Sequence, residues 1–310
     1  MRWPTRLSLI LSLVAGASAA FPAGREQALN ARVFDRVWTL VADRYWDRSM
    51  GGNDWEAIRE KYYPRALAAR DQKQLYAIIN NMLDQLDDSH VYATPPGDIA
   101  ISHEPAEDRD LLPGRRLARM PGGILLLAFD QFDPGDDRWI ADAIAGTANL
   151  SGVILDLRDN SGGRDDVLDK VAGLFTPRRE VLIRLAGKTV IEEKTRGAGP
   201  LAYLGPLAVI VGPHTASAAE ILAFFLDERR HAYVVGEHSA GAVTGGVDYR
   251  LPGGGQLTVA EYDIRTASGT RLEGKGVTPR YRVPTNKAPH DLALAKAVAL
   301  IRGAGAKAEG

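Results

Sequence analysis

From Ile124 onward, short apolar runs and helical patterns take turns along the chain. Ile124–Phe129, Val153–Leu157, Val181–Leu185 and Leu207–Val211 are strand-like, and Val234–Val235, Tyr249–Leu251 and Leu257–Val259 add shorter pieces. Helical spacing of apolar residues appears at Arg138–Ala148, Val167–Phe175 and Ala218–Arg229. Strands alternating with helices predict an α/β core. Three amphipathic helices precede it, over 27–48, 54–70 and 72–88, and a last one spans Asp291–Ile301. The polar, proline-containing stretch 94–116 reads as a linker. The expected organisation is a helical domain over 25–93, that linker, an α/β core over 117–286, and a terminal helix with its tail over 287–310.

Composition narrows the function classes. At 45% hydrophobic and 25% charged residues, the 310-residue chain carries enough apolar material for a packed core. Its formal net charge of −1 argues against a nucleic-acid partner, which would call for a basic excess. The absence of cysteine excludes disulfides, thiolate catalysis and Cys-type metal centres. The six histidines form no His-x-x-x-His pair, so a histidine-rich metal site is not expected.

Residues 1–19 read as a secretory signal peptide. Arg2 and Arg6 give a basic start, Leu7–Val14 a short apolar run, and Ala17-Ser18-Ala19 a small-x-small cleavage site. The run is far shorter than a membrane span requires, so no span is expected. Loss of the two arginines takes the net charge from −1 to −3 on the mature chain. The expected location is periplasmic or secreted.

Ser217 stands where a buried strand turns into a helix, in LAVIVGPHTASAAEILAFF. Two roles suit that address. Ser217-Ala-Ala-Glu220 is a capping box that would satisfy free N–H groups. A strand-to-helix turn also exposes a hydroxyl to the positive end of the helix, as a nucleophile requires. No Gly-x-Ser-x-Gly elbow is present, which weakens an α/β-hydrolase reading. A nucleophilic serine needs a base, and His90, His214 and His238 are all open to that role. Asp156–Gly163 (DLRDNSGG) ends a strand in a glycine turn that could aim N–H groups at an anion.

The order of five segments is more specific than any one of them. A helical stretch ending in Asp88-Ser89-His90 is followed by DLRDNSGG, TASAAE, VVGEHSAGA and LEGKGVTP. This series resembles the tail-specific (C-terminal-processing) and tricorn-core serine peptidases, with their retinoid-binding relatives, over roughly residues 30–285. The resemblance implies a crotonase-like α/β core beside a small N-terminal helical bundle. It implies Ser217 as the nucleophile, with Ala218 and either Gly162 or Gly163 supplying oxyanion N–H donors. The processing branch carries a lysine 25 positions after the serine, where this chain has Ala242. Lys275 is a conceivable substitute in a Gly-rich setting that offers no desolvation. The tricorn-like branch implies instead His90 as base, Glu273 as its orienting carboxylate and Ser89 between them.

The expected activity is hydrolysis of a polypeptide substrate through an acyl-enzyme, without metal or cofactor. The 94–116 interval is too short for a PDZ domain, and Arg280 stands where the family usually has aspartate. A different class stays open beside the enzyme: a non-catalytic binder of an apolar or peptide ligand on the same fold.

Overall fold

The computed structural model describes residues 23–99, 114–187, 189–243, 245–286 and 289–308. The signal-peptide segment lies outside the described residues. Helix α1 (Ala23–Arg44), α2 (Trp55–Leu67) and α3 (Gln72–Leu83) pack together first. Aspartates start the second and third: Asp54 Oδ1 accepts the Ala57 N–H at 3.0 Å, and Asp71 Oδ1 that of Gln74 at 2.7 Å. The third helix stops earlier than the spacing predicts. A 3₁₀ turn, Asp84–Leu86, follows it, and Asp87 at φ 50° breaks the helical path. Ser89 and His90 therefore lie on a turn beyond the helix and not in its last turn.

Strand β1 (Tyr92–Thr94) then pairs antiparallel with β10 (Gln256–Thr266), placing Tyr92 opposite Thr258. This corrects the expected linker at both ends. Thr94 belongs to β1, and Arg116 begins β2 (Arg116–Met120); 100–113 lie outside the described residues. The helices also share one apolar core with Leu251, Leu257, Val259 and Ala260, so a boundary at 93 cuts through a strand and a core.

The remaining elements are β3 (Ile124–Ala128), α4 (Asp136–Ala145), β4 (Gly152–Asp156), α5 (Asp165–Gly173), β5 (Val181–Ala186), β6 (Val190–Lys194), β7 (Leu207–Val211), α6 (Ala218–Arg230), β8 (Tyr233–Gly236), β9 (Gly245–Arg250), β11 (Tyr281–Arg282) and α7 (Leu292–Ala308). One sheet runs β11-β8-β7-β4-β3-β2, parallel except for the β2–β3 pair. The other runs β1-β10-β5-β6, with β9 also on β10.

Both faces of the larger sheet are covered, as the period of two shows. On β3, Leu125 and Leu127 join the core with α5 and α6, while Ile124 and Leu126 face α7. On β7, Leu207, Val209 and Val211 point to the first core, Ala208 and Ile210 to the second. Each such Leu, Ile or Val side chain, once buried, contributes about 1.5–3 kcal/mol. Helix α7 lies so close that a Cβ at Gly152 would stand 2.2 Å from Ile301 Cγ2. Strands β4 and β7 thus end side by side, and the turns leaving them carry the candidate site.

Candidate functional site

The β4 exit is rigid. Arg158, buried, bonds to Asp156 at 2.8 Å and to Asp291 at 3.0 Å, tying the strand end to the start of α7. Asn160, fully buried, donates to the Phe129 carbonyl and accepts the Gly162 N–H, both at 2.9 Å. Its own carbonyl receives the Ala216 N–H at 3.0 Å, which docks the second turn onto the first. Gly162 (φ 104°) has to be glycine, since a Cβ there would stand 2.7 Å from Ser217 Cβ.

The two glycines expected as donors differ. The Gly162 N–H is committed to Asn160, whereas Gly163 forms a parallel bridge with Phe132 through its neighbours. Phe132 N–H donates to the Gly162 carbonyl, and Arg164 N–H to the Phe132 carbonyl. In such a bridge the central residue turns its own N–H to the opposite side. Among the described residues, neither the Gly163 nor the Ala218 N–H has a hydrogen-bond partner.

Ser217 occupies φ 54°, ψ −122°, a backbone conformation costly for a residue with a Cβ, of order 1–3 kcal/mol. Its N–H is held by the Ala242 carbonyl at 2.9 Å and by Glu220 Oε2 at 3.1 Å. Glu220 does more than complete a capping box. Its buried carboxylate accepts from Ser239 Oγ (2.5 Å), Gly241 N–H (2.8 Å) and Ala242 N–H (2.9 Å) besides Ser217. Burial pushes its pKa up, and these donors oppose the shift. Sequence reading missed this clamp, because nothing local in Glu220 or Ser239 shows that their segments meet.

A second set of bonds reaches the turn after α3. Ser89 Oγ lies 2.9 Å from His90 Nδ1 and donates to Glu273 Oε1 at 3.0 Å. Glu273, buried, also accepts the Ser89 N–H at 3.3 Å and the Val243 N–H at 2.5 Å. The single Ser89 proton goes to Glu273, so Ser89 can only accept from His90. That assigns the proton to His90 Nδ1 and leaves the Nε2 lone pair free. Asp88 fixes the turn by accepting the His90 N–H at 3.0 Å and the Tyr45 O–H and Trp46 indole N–H at 3.2 Å each. His90 Cβ stands 3.7 Å from the Cβ position of Gly246, on the strand that leaves Val243.

Lys275 and His214 are exposed, and so is His238, whose Nδ1 lies 3.2 Å from Thr278 Oγ1. Ala242 contributes backbone alone to the site. Among the described residues no group of three or more His, Asp or Glu could hold a metal ion. No described helix is long and apolar enough to cross a membrane.

A two-sheet α/β architecture with a strained serine at a helix N-terminus defines the molecule's class. Residues 123–283 match the sequence model of peptidase family S41, and residues 28–84 match the tricorn protease C1 domain. The chain belongs to peptidase family S41. It is 31% identical over 180 residues to the chloroplastic carboxyl-terminal-processing peptidase 2 of Arabidopsis thaliana, covering 54% of this chain and 35% of that one. A carboxy-terminal-processing protease of Bartonella bacilliformis is 34% identical over 138 residues, covering 43% of this chain and 31% of its own. The chain thus spans about a third of the length of these relatives. Among solved structures, a photosystem II D1 C-terminal processing protease superimposes with a TM-score of 0.64 at 19% identity, over 89% of this chain and 97% of that one. At that identity the likeness speaks for the fold.

Proposed function

We propose that this chain is an exported serine endopeptidase of the tricorn-like branch, acting through Ser217, His90 and Glu273. His90 Nε2 takes the Ser217 Oγ proton as the oxygen attacks the scissile carbonyl carbon. The carbonyl oxygen becomes an oxyanion held by the Gly163 and Ala218 N–H groups at the positive end of α6. The proton then passes from His90 to the leaving amine, and an acyl-enzyme remains. Water deprotonated by His90 attacks that ester and releases Ser217. Glu273, acting through the Ser89 hydroxyl, keeps the imidazole in the tautomer with Nε2 free and stabilises the imidazolium.

The observation that carries this reading is the continuous chain of bonds from His90 Nδ1 through Ser89 Oγ to the buried Glu273. It orients the imidazole that this reading needs as base, in a chain that has Ala242 where the processing branch carries a lysine. The reading is tested with a fluorophosphonate probe. Wild-type protein should label, Ser217→Ala should not, and lack of labelling in both would favour the non-catalytic binder.

A further inference from the structure

A cavity of about 520 Å³ is lined in part by Arg164, the residue after the Gly162–Gly163 turn. Its walls come from three segments distant in sequence: the start of α4, one face of α5, and the loop after β6. Four cations line it, namely Arg138, Arg164, Lys170 and Arg196, against two carboxylates, Asp137 and Asp166. Asp166 is already shared by Arg164 at 2.8 Å and Lys170 at 2.9 Å. Arg196 has one looser contact, 3.7 Å to Asp169, and its side chain is 64% exposed. Arg138 is exposed and has no ion pair among the described residues. Two cations thus face the cavity with little or nothing to neutralise them.

The position matters as much as the charge. Arg164 directly follows Gly163, and its N–H donates to the carbonyl of Phe132, three residues before Gly135 on the cavity wall. Arg164 on the cavity wall is thus one residue, roughly 3.3–3.6 Å of chain, from the Gly163 N–H on which a scissile carbonyl would rest.

We propose that this cavity is a subsite for acidic side chains of the polypeptide substrate, with Arg138 and Arg196 as its specificity-determining cations. The inference rests on the peptidase reading for its substrate, but its charge complementarity is measurable without turnover. Carboxylates on a flexible, unfolded segment fit such a site, since exposed guanidinium groups pair with them in many orientations.

The test uses Ser217→Ala protein and two fluorescein-labelled unstructured peptides of equal length, one carrying a run of Glu and the other Gln at the same positions. Fluorescence anisotropy should show the Glu peptide binding about tenfold more tightly at low salt, with the advantage lost near 0.5 M salt. Arg138→Glu combined with Arg196→Glu should erase the preference. Both residues are exposed, and an unchanged thermal melting curve would show that the double variant folds. Equal binding of the two peptides, no binding of either, or a preference that survives the double variant each overturns the proposal. Failure of the peptidase reading looks different: no probe labelling of the wild-type protein, whatever the peptides do.

Discussion

One peptide group separates Ser217 from Glu273. The carbonyl of Ala242 accepts the Ser217 N–H at 2.9 Å, and the N–H on the other side of that same amide donates to Glu273 Oε2 at 2.5 Å. Residues 56 apart in sequence are thereby held across a single planar unit, which has no torsional freedom of its own. The serine and the carboxylate stay in register because that amide cannot bend.

The choice of base is tested by substitution. His90→Ala should lower kcat/KM on an unstructured peptide by on the order of 10³-fold or more, and Lys275→Ala should leave most activity. His238→Ala serves as a control. Loss of turnover in His238→Ala with survival in His90→Ala would move the base to the core.

Glu273→Gln should cost about 10²-fold or more, for a reason that the bonds make specific. Glutamine has one acceptor oxygen where Ser89 and Val243 present two donors. If its amide group faces Ser89, the hydroxyl turns to donate to His90 Nδ1 and the wrong tautomer results. Should Glu273→Gln keep wild-type kcat, the relay through Ser89 plays no part in the reaction.

Gly162→Ala should abolish probe labelling by roughly 100-fold or more, as displacing a reacting group by about 1 Å can do. The new Cβ would press on Ser217 Cβ from 2.7 Å and adopt φ 104°. Labelling at the wild-type rate would mean that the glycine turn does not set the position of the serine.

Glu220 predicts a pH-dependent stability. Burial raises its folded-state pKa above the ordinary 4.5, so the fold holds that proton more tightly than the unfolded chain does. Its contribution is complete below about 4.5 and is lost as pH rises through the raised folded value. The margin of wild type over Glu220→Gln, read from urea midpoints, should therefore shrink as pH rises from about 4 toward 7. A margin that grows over that range would contradict the assignment.

Export is checked by N-terminal sequencing. Mature protein should begin at Ala20 or Phe21, and a cytosolic pool beginning at Met1 would reject the signal peptide.

Local pattern alone determined the α/β core, because β3 and β7 are apolar throughout, β4 is apolar up to Asp156, and the helices between them repeat at their own period. The address of Ser217 was equally legible, since a strand, a turn and a capping residue are neighbours in sequence. What carries no local mark is which distant segments meet. Nothing near Tyr92 specifies Thr258 as its partner across β1 and β10, yet that pairing joins the helices to the core strand. The edge strands β2 and β6 were missed because solvent on one side leaves a weak apolar pattern, as in Val190–Lys194. Locally Glu220 shows only as a helix cap and Glu273 only as a carboxylate in a Gly-rich turn, and only the fold buries them and surrounds them with donors from residues 89, 217, 239, 241, 242 and 243. A carboxylate has no intrinsic preference among such donors; desolvation makes each bond obligatory, and desolvation is a property of the packed chain.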